Sequence, residues 1–192
     1  MTMTLAQAVT EARGRTLHIG QGEHQVSSEA GVAITTILGS CIAACIRDPQ
    51  TGVGGMNHFL LPEGDAAADS EAGRRYGVNA MERLINSLLA AGARRDRLEA
   101  KLFGGASMFD RLRNIGAENA AFAHRFLTAE GIAVVGGDTG GDKARRIRYW
   151  PSTGQAQQKL LTDNDPVVFV RERTIAVAPP PATATYGDVE LF

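Results

Sequence analysis

The residue with the plainest chemical potential is Cys41, which follows a Gly39-Ser40 break between two apolar runs. A thiol near its free pKa of about 8.5 is a weak nucleophile and needs a neighbouring imidazole or converging N–H groups to become a thiolate. The chain has four histidines, His18, His24, His58 and His124. The turn signal Asp48-Pro49-Gln50-Thr51-Gly52 separates the run 41–47 from the run 53–61, so residues 41–61 read as a β-hairpin. If Arg47 pairs with Gly52, Cys41 falls opposite His58. Facing residues of an antiparallel pair share a sheet face, whereas a one-residue slip would separate them. Several loop lengths fit this turn, so the facing depends on the register. A Cys/His pair suits attack on a carbonyl or carboxamide: thiolate addition, protonation of the leaving group, then hydrolysis of a thioester. The competing reading is a buried structural cysteine, since cysteine is among the most buried residue types. Cys45, inside an apolar run with no break beside it, reads that way.

Other residues offer supporting roles. Gly39, Ser40 and the Cys41 backbone stand where N–H groups could hold an oxyanion. Thr35 and Thr36 lie on the strand before the nucleophile. No Asp or Glu occurs between residues 30 and 47, so a carboxylate partner for the imidazole would have to be distant, Asp138 for example. Asp138 sits in Gly136-Gly137-Asp138-Thr139-Gly140-Gly141, which lacks the ending of a nucleotide P-loop and the dinucleotide spacing and reads as a tight turn lining a pocket or closing the fold. Phe103-Gly104-Gly105 is a second glycine turn, either pocket wall or a plain turn. Gly54 and Gly55, with Gly39, Gly104 and Gly105, are small enough to let a substrate backbone approach. Arg145, Arg146 and Arg148 read as a solvated basic face, with docking to an acidic surface as the alternative. His24 reads as exposed. No histidine forms a metal set with carboxylates at ligand spacing, so neither metal nor cofactor is expected.

These residues need a scaffold. Strands are expected at 17–20, 32–38, 41–47, 53–61, 98–103, 132–135 (buried), 146–150 and 157–161, with a last short one at 167–170. Tyr76, Met81, Leu84, Ile85, Leu88 and Leu89 give a helix over 74–91. Ile115, Phe122, Phe126 and Leu127 give another over 115–130. The order predicts an α/β (α+β) layered sandwich: a twisted mixed sheet, an N-terminal β-hairpin and two packed amphipathic helices. The single domain is expected over 16–172, after an N-terminal arm at 1–15, with a surface loop at 63–73. A Pro/Ala-rich tail at 173–192 reads as disordered.

The 192 residues are 44% hydrophobic and 21% charged, the balance of a soluble globule. A net charge of −1 argues against binding nucleic acid by phosphate neutralisation. No run approaches the 18 or so apolar residues of a membrane span, and the N-terminus does not read as a secretory signal. With two cysteines, the reading is a cytoplasmic protein with reduced thiols.

The blocks Thr35-Thr36-Ile37-Leu38-Gly39-Ser40-Cys41 and Gly54-Gly55-Met56-Asn57-His58-Phe59-Leu60-Leu61-Pro62 resemble the CheD family of chemoreceptor glutamine deamidases. The likeness continues through Lys101-Leu102-Phe103-Gly104-Gly105-Ala106, Asn114-Ile115-Gly116 with Asn119, and Asp138-Thr139-Gly140-Gly141 with Arg145. It spans about residues 16–165. The resemblance implies hydrolysis of specific glutamine side chains on the cytoplasmic helices of methyl-accepting chemotaxis receptors, giving glutamate and ammonia without a cofactor. It implies Cys41 as nucleophile, His58 as base and Thr35 as the residue that orients the imidazole. Some members also bind a CheC-type phosphatase, and that partner is open here. The alternatives are a small-molecule Cys/His amidase, with a deep closed cavity beside Cys41, and a non-enzymatic chemotaxis adaptor. A receptor glutamine would instead require a shallow open groove.

Overall fold

The computed structural model describes residues 14–61, 71–107 and 113–162, side chains at 71–74 and 113–114 aside. The chain divides into two units, 1–162 and 163–192, and all described residues belong to the first. The expected arm (residues 1–13 of it), most of the 63–73 loop, the strand at 167–170 and the C-terminal tail lie outside the described residues.

Nine strands and two long helices are described: β1 (Thr16–His18), β2 (His24–Ser27), β3 (Ala33–Leu38), β4 (Ile42–Arg47), β5 (Gly54–Asn57), α1 (Glu71–Ala90), β6 (Glu99–Gly104), α2 (Arg113–Ala129), β7 (Ala133–Thr139), β8 (Arg145–Trp150) and β9 (Gln155–Leu160). The expected class, a layered mixed-sheet fold with two packed helices, is what forms. Its strands divide between two sheets, ordered β1-β3-β8-β9 and β2-β5-β4-β6-β7. Each sheet is mixed: β1 runs parallel to β3 and β6 parallel to β7, and the other pairs are antiparallel.

Alternation along β4 explains the layering. Ile42, Ala44 and Ile46 point to one face and pack with Met81, Leu84, Ile85 and Leu88 of α1 and Phe122, Phe126 and Leu127 of α2. Ala43 and Cys45 point to the other face, with Met56, Phe103 and Cys41, against Ile34, Leu38, Ile147 and Tyr149 of the first sheet. The five-stranded sheet is therefore the middle layer, and its central strand β4 is apolar on both faces. Gly77 lets the helices close: a Cβ there would stand 2.6 Å from the Phe122 ring. Tyr76, expected on the apolar stripe of α1, is instead exposed.

The hairpin forms, in a different register from the one expected. Arg47 lies opposite Gly54, and Cys45 opposite Met56. The cause is Asp48. Its side chain accepts the N–H groups of Gln50 (2.9 Å) and Thr51 (3.4 Å), while its backbone N–H donates to the Val53 carbonyl at 2.8 Å. Four residues, 49–52, thus make the reversal, and Gly52 takes φ +70. The shift is two residues, so every side chain keeps its face.

Asp48 also holds the hairpin to the segment before β6. Its buried carboxylate meets the Arg97 guanidinium at 2.6 Å and the Arg94 N–H at 3.0 Å. Burial pushes its pKa up, but these bonds outweigh it and hold the carboxyl well below the usual carboxylate range. Its stabilisation is therefore complete above the ordinary carboxylate pKa and is lost as pH falls below it. Asp48→Ala strands Arg97 and the turn N–H groups, and urea denaturation at pH 7 should show a loss of about 3 kcal/mol.

Two further expectations are corrected. The strand expected to be buried at 132–135 is β7, an exposed edge that runs on through Gly136 and Gly137, with Val135 50% accessible. Among the described strands it pairs with β6 alone, at the rim of its sheet. Strand β2 was not anticipated, because His24-Gln25-Val26-Ser27 carries one apolar residue.

Candidate active site

Cys41 lies where the chain leaves the first sheet and enters the second, between β3 and β4. Three successive carbonyls of this crossing are held from one side. The Gly39 carbonyl accepts from the Ala106 N–H (2.9 Å), the Ser40 carbonyl from the Asn119 side-chain amide (3.0 Å) and the Cys41 carbonyl from the Gly105 N–H (2.8 Å). The approach is close enough to demand glycine: a Cβ on Gly104, at φ +110, would fall 2.1 Å from the Cys41 oxygen. In trans peptides N–H and C=O are antiparallel. The Ser40 and Cys41 N–H groups are thereby turned away from Ala106 and Asn119. Asn119, fully buried on α2, also accepts the Leu61 N–H at 2.8 Å, so one side chain ties the Cys41 turn to the segment after His58.

His58 follows β5. In the observed register it stands opposite Ala43, which makes Cys41 its diagonal neighbour on the face between the sheets, with Cβ atoms roughly 7 Å apart or less. Its Nδ1 meets the Thr36 hydroxyl at 2.8 Å, and that hydroxyl lies 2.8 Å from the Ile19 carbonyl. A carbonyl only accepts, so the single Thr36 proton goes to Ile19. His58 must then donate from Nδ1, and its lone pair sits on Nε2. Nε2 is buried and has no hydrogen-bond partner among the described residues. Burial lowers the imidazole pKa to about 4, against a smaller upward pull from Glu23. The result is a neutral, oriented imidazole whose acceptor atom is left unoccupied by the described residues.

The partner is Thr36, where the resemblance pointed to Thr35. Ile34 and Leu38 face the second sheet, so the alternation of β3 brings Thr36 to that face and turns Thr35 away. The Thr35 hydroxyl donates to the Ile147 carbonyl at 2.6 Å, and its own carbonyl accepts the Ile19 N–H at 3.1 Å. Thr36→Val removes the imidazole's anchor at nearly constant volume. It should lower kcat about 10- to 100-fold, with Thr36→Ser recovering most of the loss. The larger effect should fall on Thr36 rather than Thr35, as steady-state rates of matched variants will show.

Of the other expected site residues, Phe103 packs beside Cys41 between the sheets. Gly54 and Gly55 do not border a groove. A Cβ on Gly54 would meet Arg47 at 2.9 Å, and one on Gly55 would meet the Gln25 carbonyl at 2.6 Å. These two are glycine for packing. Asp138 serves Arg145, which is 2% accessible rather than solvated. The Arg145 guanidinium donates to the Asp138 carbonyl at 2.7 Å and to the Gly140 carbonyl, and pairs with the Asp138 carboxylate. Arg146 and Arg148 stay exposed, as expected. His24 is half-buried and bonded to the Ser87 hydroxyl at 2.9 Å. Among the described residues, no group of three or more His, Cys, Asp or Glu is arranged to hold a metal.

With this geometry in view, comparison with known proteins is direct. Residues 60–160 match the family model described as CheD chemotactic sensory transduction. A Caulobacter sp. (strain K31) protein named "Probable chemoreceptor glutamine deamidase CheD" is 54% identical over 190 residues, 98% of this chain and 100% of its own. The chain belongs to the CheD family. A Sinorhizobium medicae relative of the same name is 58% identical over 154 residues, 80% of this chain and 84% of its own. A solved Neisseria meningitidis protein covers 71% of this chain and 67% of its own at 14% identity and a TM-score of 0.41, too loose a likeness to bear on fold or function.

Two features of this CheD-family site were missed from sequence. Asn119 was noted only as part of a block, since no local pattern says that a helix asparagine will reach two loops. Gln21 is the other. It occupies the β1–β2 turn, and its side-chain Oε1 stands 4.0 Å from the Cys41 sulfur. The open groove expected at the nucleophile is also not what the structure presents, for Cys41 is 3% and His58 7% accessible. A cavity does lie beside His58, lined by Glu23, His24, Asn57, Tyr76, Asn79 and Arg83 among others.

Proposed function

We propose that this protein is a protein-glutamine glutaminase, hydrolysing specific glutamine side chains of methyl-accepting chemotaxis receptors to glutamate and ammonia. The observation that carries the reading is the unpartnered Nε2 of His58, on the same sheet face as Cys41 and held in one tautomer by Thr36. Relatives named as chemoreceptor glutamine deamidases, matching over nearly the whole chain, support the substrate class.

The steps follow from the atoms. Nε2 takes the Cys41 proton, and the sulfur adds to the glutamine Cδ. Negative charge moves to the amide oxygen, where the Ser40 N–H, turned away from Ala106, stabilises it. An imidazolium in so desolvated a place is a strong acid, so it returns its proton to the amide nitrogen, and ammonia leaves. Water then gives a proton to Nε2 and adds to the thioester. Collapse releases glutamate, and the sulfur recovers its proton. No cofactor is called for, because a carboxamide needs a nucleophile, a proton carrier and an oxyanion site.

The partners are the cytoplasmic helices of the receptors, which sets the protein in the cytoplasm. No helix among the described residues is long and apolar enough to cross a membrane. The test is incubation with receptor fragments, read by ammonia release and by a gain of about one dalton at individual glutamines, the mass change when an amide becomes a carboxyl group. Binding of receptor, or of a CheC-type phosphatase, with neither signal would make the chain an adaptor.

A further inference from the structure

The turn that carries Gln21 is fastened to the active-site histidine. The Gly22 N–H donates to the His58 carbonyl at 2.7 Å, and the His58 N–H donates to the Glu23 carbonyl at 3.0 Å. The turn closes on itself through Glu23 N–H to Gly20 carbonyl (3.1 Å) and Gly20 N–H to the Glu23 carboxylate (2.7 Å), with Gly22 at φ +81. Ile19, immediately before it, accepts the Thr36 hydroxyl that orients the imidazole. Residues 19–23 thus wrap His58 through backbone bonds, and these leave the Gln21 side chain as the part that can move. That residue is half-buried, and its side-chain oxygen faces the sulfur of Cys41, a residue 3% accessible.

A glutamine carboxamide is the functional group that the proposed reaction consumes. We infer that the Gln21 carboxamide occupies, in the free protein, the subsite of the receptor glutamine's carboxamide beside Cys41. It is an internal competitor that must rotate out before substrate enters. The inference rests on the function proposed above and adds to it where the substrate amide sits and what covers it. The pose holds the Gln21 oxygen toward the thiol, as a hydrogen-bond acceptor. Release requires only side-chain rotation, since the backbone of the turn stays fixed to His58.

The experiment compares the full-length protein with Gln21→Ala and with Gln21→Asn, which keeps the amide but falls one methylene short. One readout is iodoacetamide alkylation of Cys41, with Cys45 as internal reference; the other is the KM for receptor fragments. Both variants should alkylate at Cys41 about three- to tenfold faster, the range spanned by one weak hydrogen bond. The KM should fall by a similar factor. Unchanged alkylation in both variants would overturn the inference, as would faster alkylation with a raised KM, which would mean that Gln21 helps to bind substrate. The alkylation arm needs no receptor. A wild type that leaves receptor glutamines intact would therefore sink the proposed function, while the alkylation rates still decide whether Gln21 covers the sulfur.

Discussion

Cys41→Ala should abolish receptor deamidation, with a fall of at least about 10⁴-fold, because removing the attacking atom of a covalent mechanism leaves only the binding and oxyanion contributions. The side chain is small and stands at a crossing between sheets whose carbonyls are held by Gly105, Ala106 and Asn119, so the backbone should keep its place. Cys45→Ala is the matched control. Cys45 shares the inter-sheet face, is 1% accessible, and burial raises its thiol far above the usual range, so it stays protonated and inert. That variant should keep its activity and lose about 1 kcal/mol of stability from the smaller side chain. Mass spectrometry of receptor fragments gives the rates, and urea denaturation confirms that each variant is folded. Deamidation by Cys41→Ala at a rate comparable to wild type would remove the thioester from the mechanism.

The facing of Cys41 and His58 was legible in sequence despite a wrong register. The Asp48 turn closes on the pair Asp48 and Val53 rather than on Arg47 and Gly52, and the resulting error is even. Alternation has a period of two, so an even error moves partners along the strand without turning them over. From sequence, the pair was directly opposed; in the structure it is diagonal. The threonine was a harder problem. Val32 to Leu38 is apolar at five of seven positions and buried at all but Ile37, because β3 has neighbours on both sides, so no polar alternation marks which of Thr35 and Thr36 faces His58. Only the second sheet decides, and it is assembled from strands far along the chain.

Arg145 failed for a related reason. Three arginines within four positions look like a solvated face, yet on β8 only Arg146 and Arg148 alternate with Ile147 and Tyr149. Arg145 falls on the buried side, where the carbonyls of Asp138 and Gly140 receive it. The helices were legible because their stripes are long: Met81, Leu84, Ile85 and Leu88 define a face by themselves. The glycines were read as openings for substrate. At Gly54, Gly55 and Gly104 the missing Cβ is taken up by the protein's own backbone and side chains.

His58→Gln should lower kcat by about 10³- to 10⁴-fold, since it removes both the base for the thiol and the acid for the leaving ammonia. It should also change how the protein responds to acid, and the direction follows from burial. The wild-type imidazole is lowered from 6.5 to about 4 in the folded chain. Below pH 6.5 the unfolded chain takes up a proton that the folded chain refuses, so stability is complete above that pH and drains away as pH falls toward 4. The gap corresponds to about 3 kcal/mol at pH 4. Urea denaturation from pH 7 down to 4 should show that loss in wild type and lack it in His58→Gln, beyond the shared contribution of carboxylates such as Asp48. Because the neutral imidazole is the working form, wild-type kcat/KM should hold through pH 6 and 5, where an ordinary histidine would already be charged. A fall centred near pH 6.5 would mean that His58 is more solvated than the structure has it.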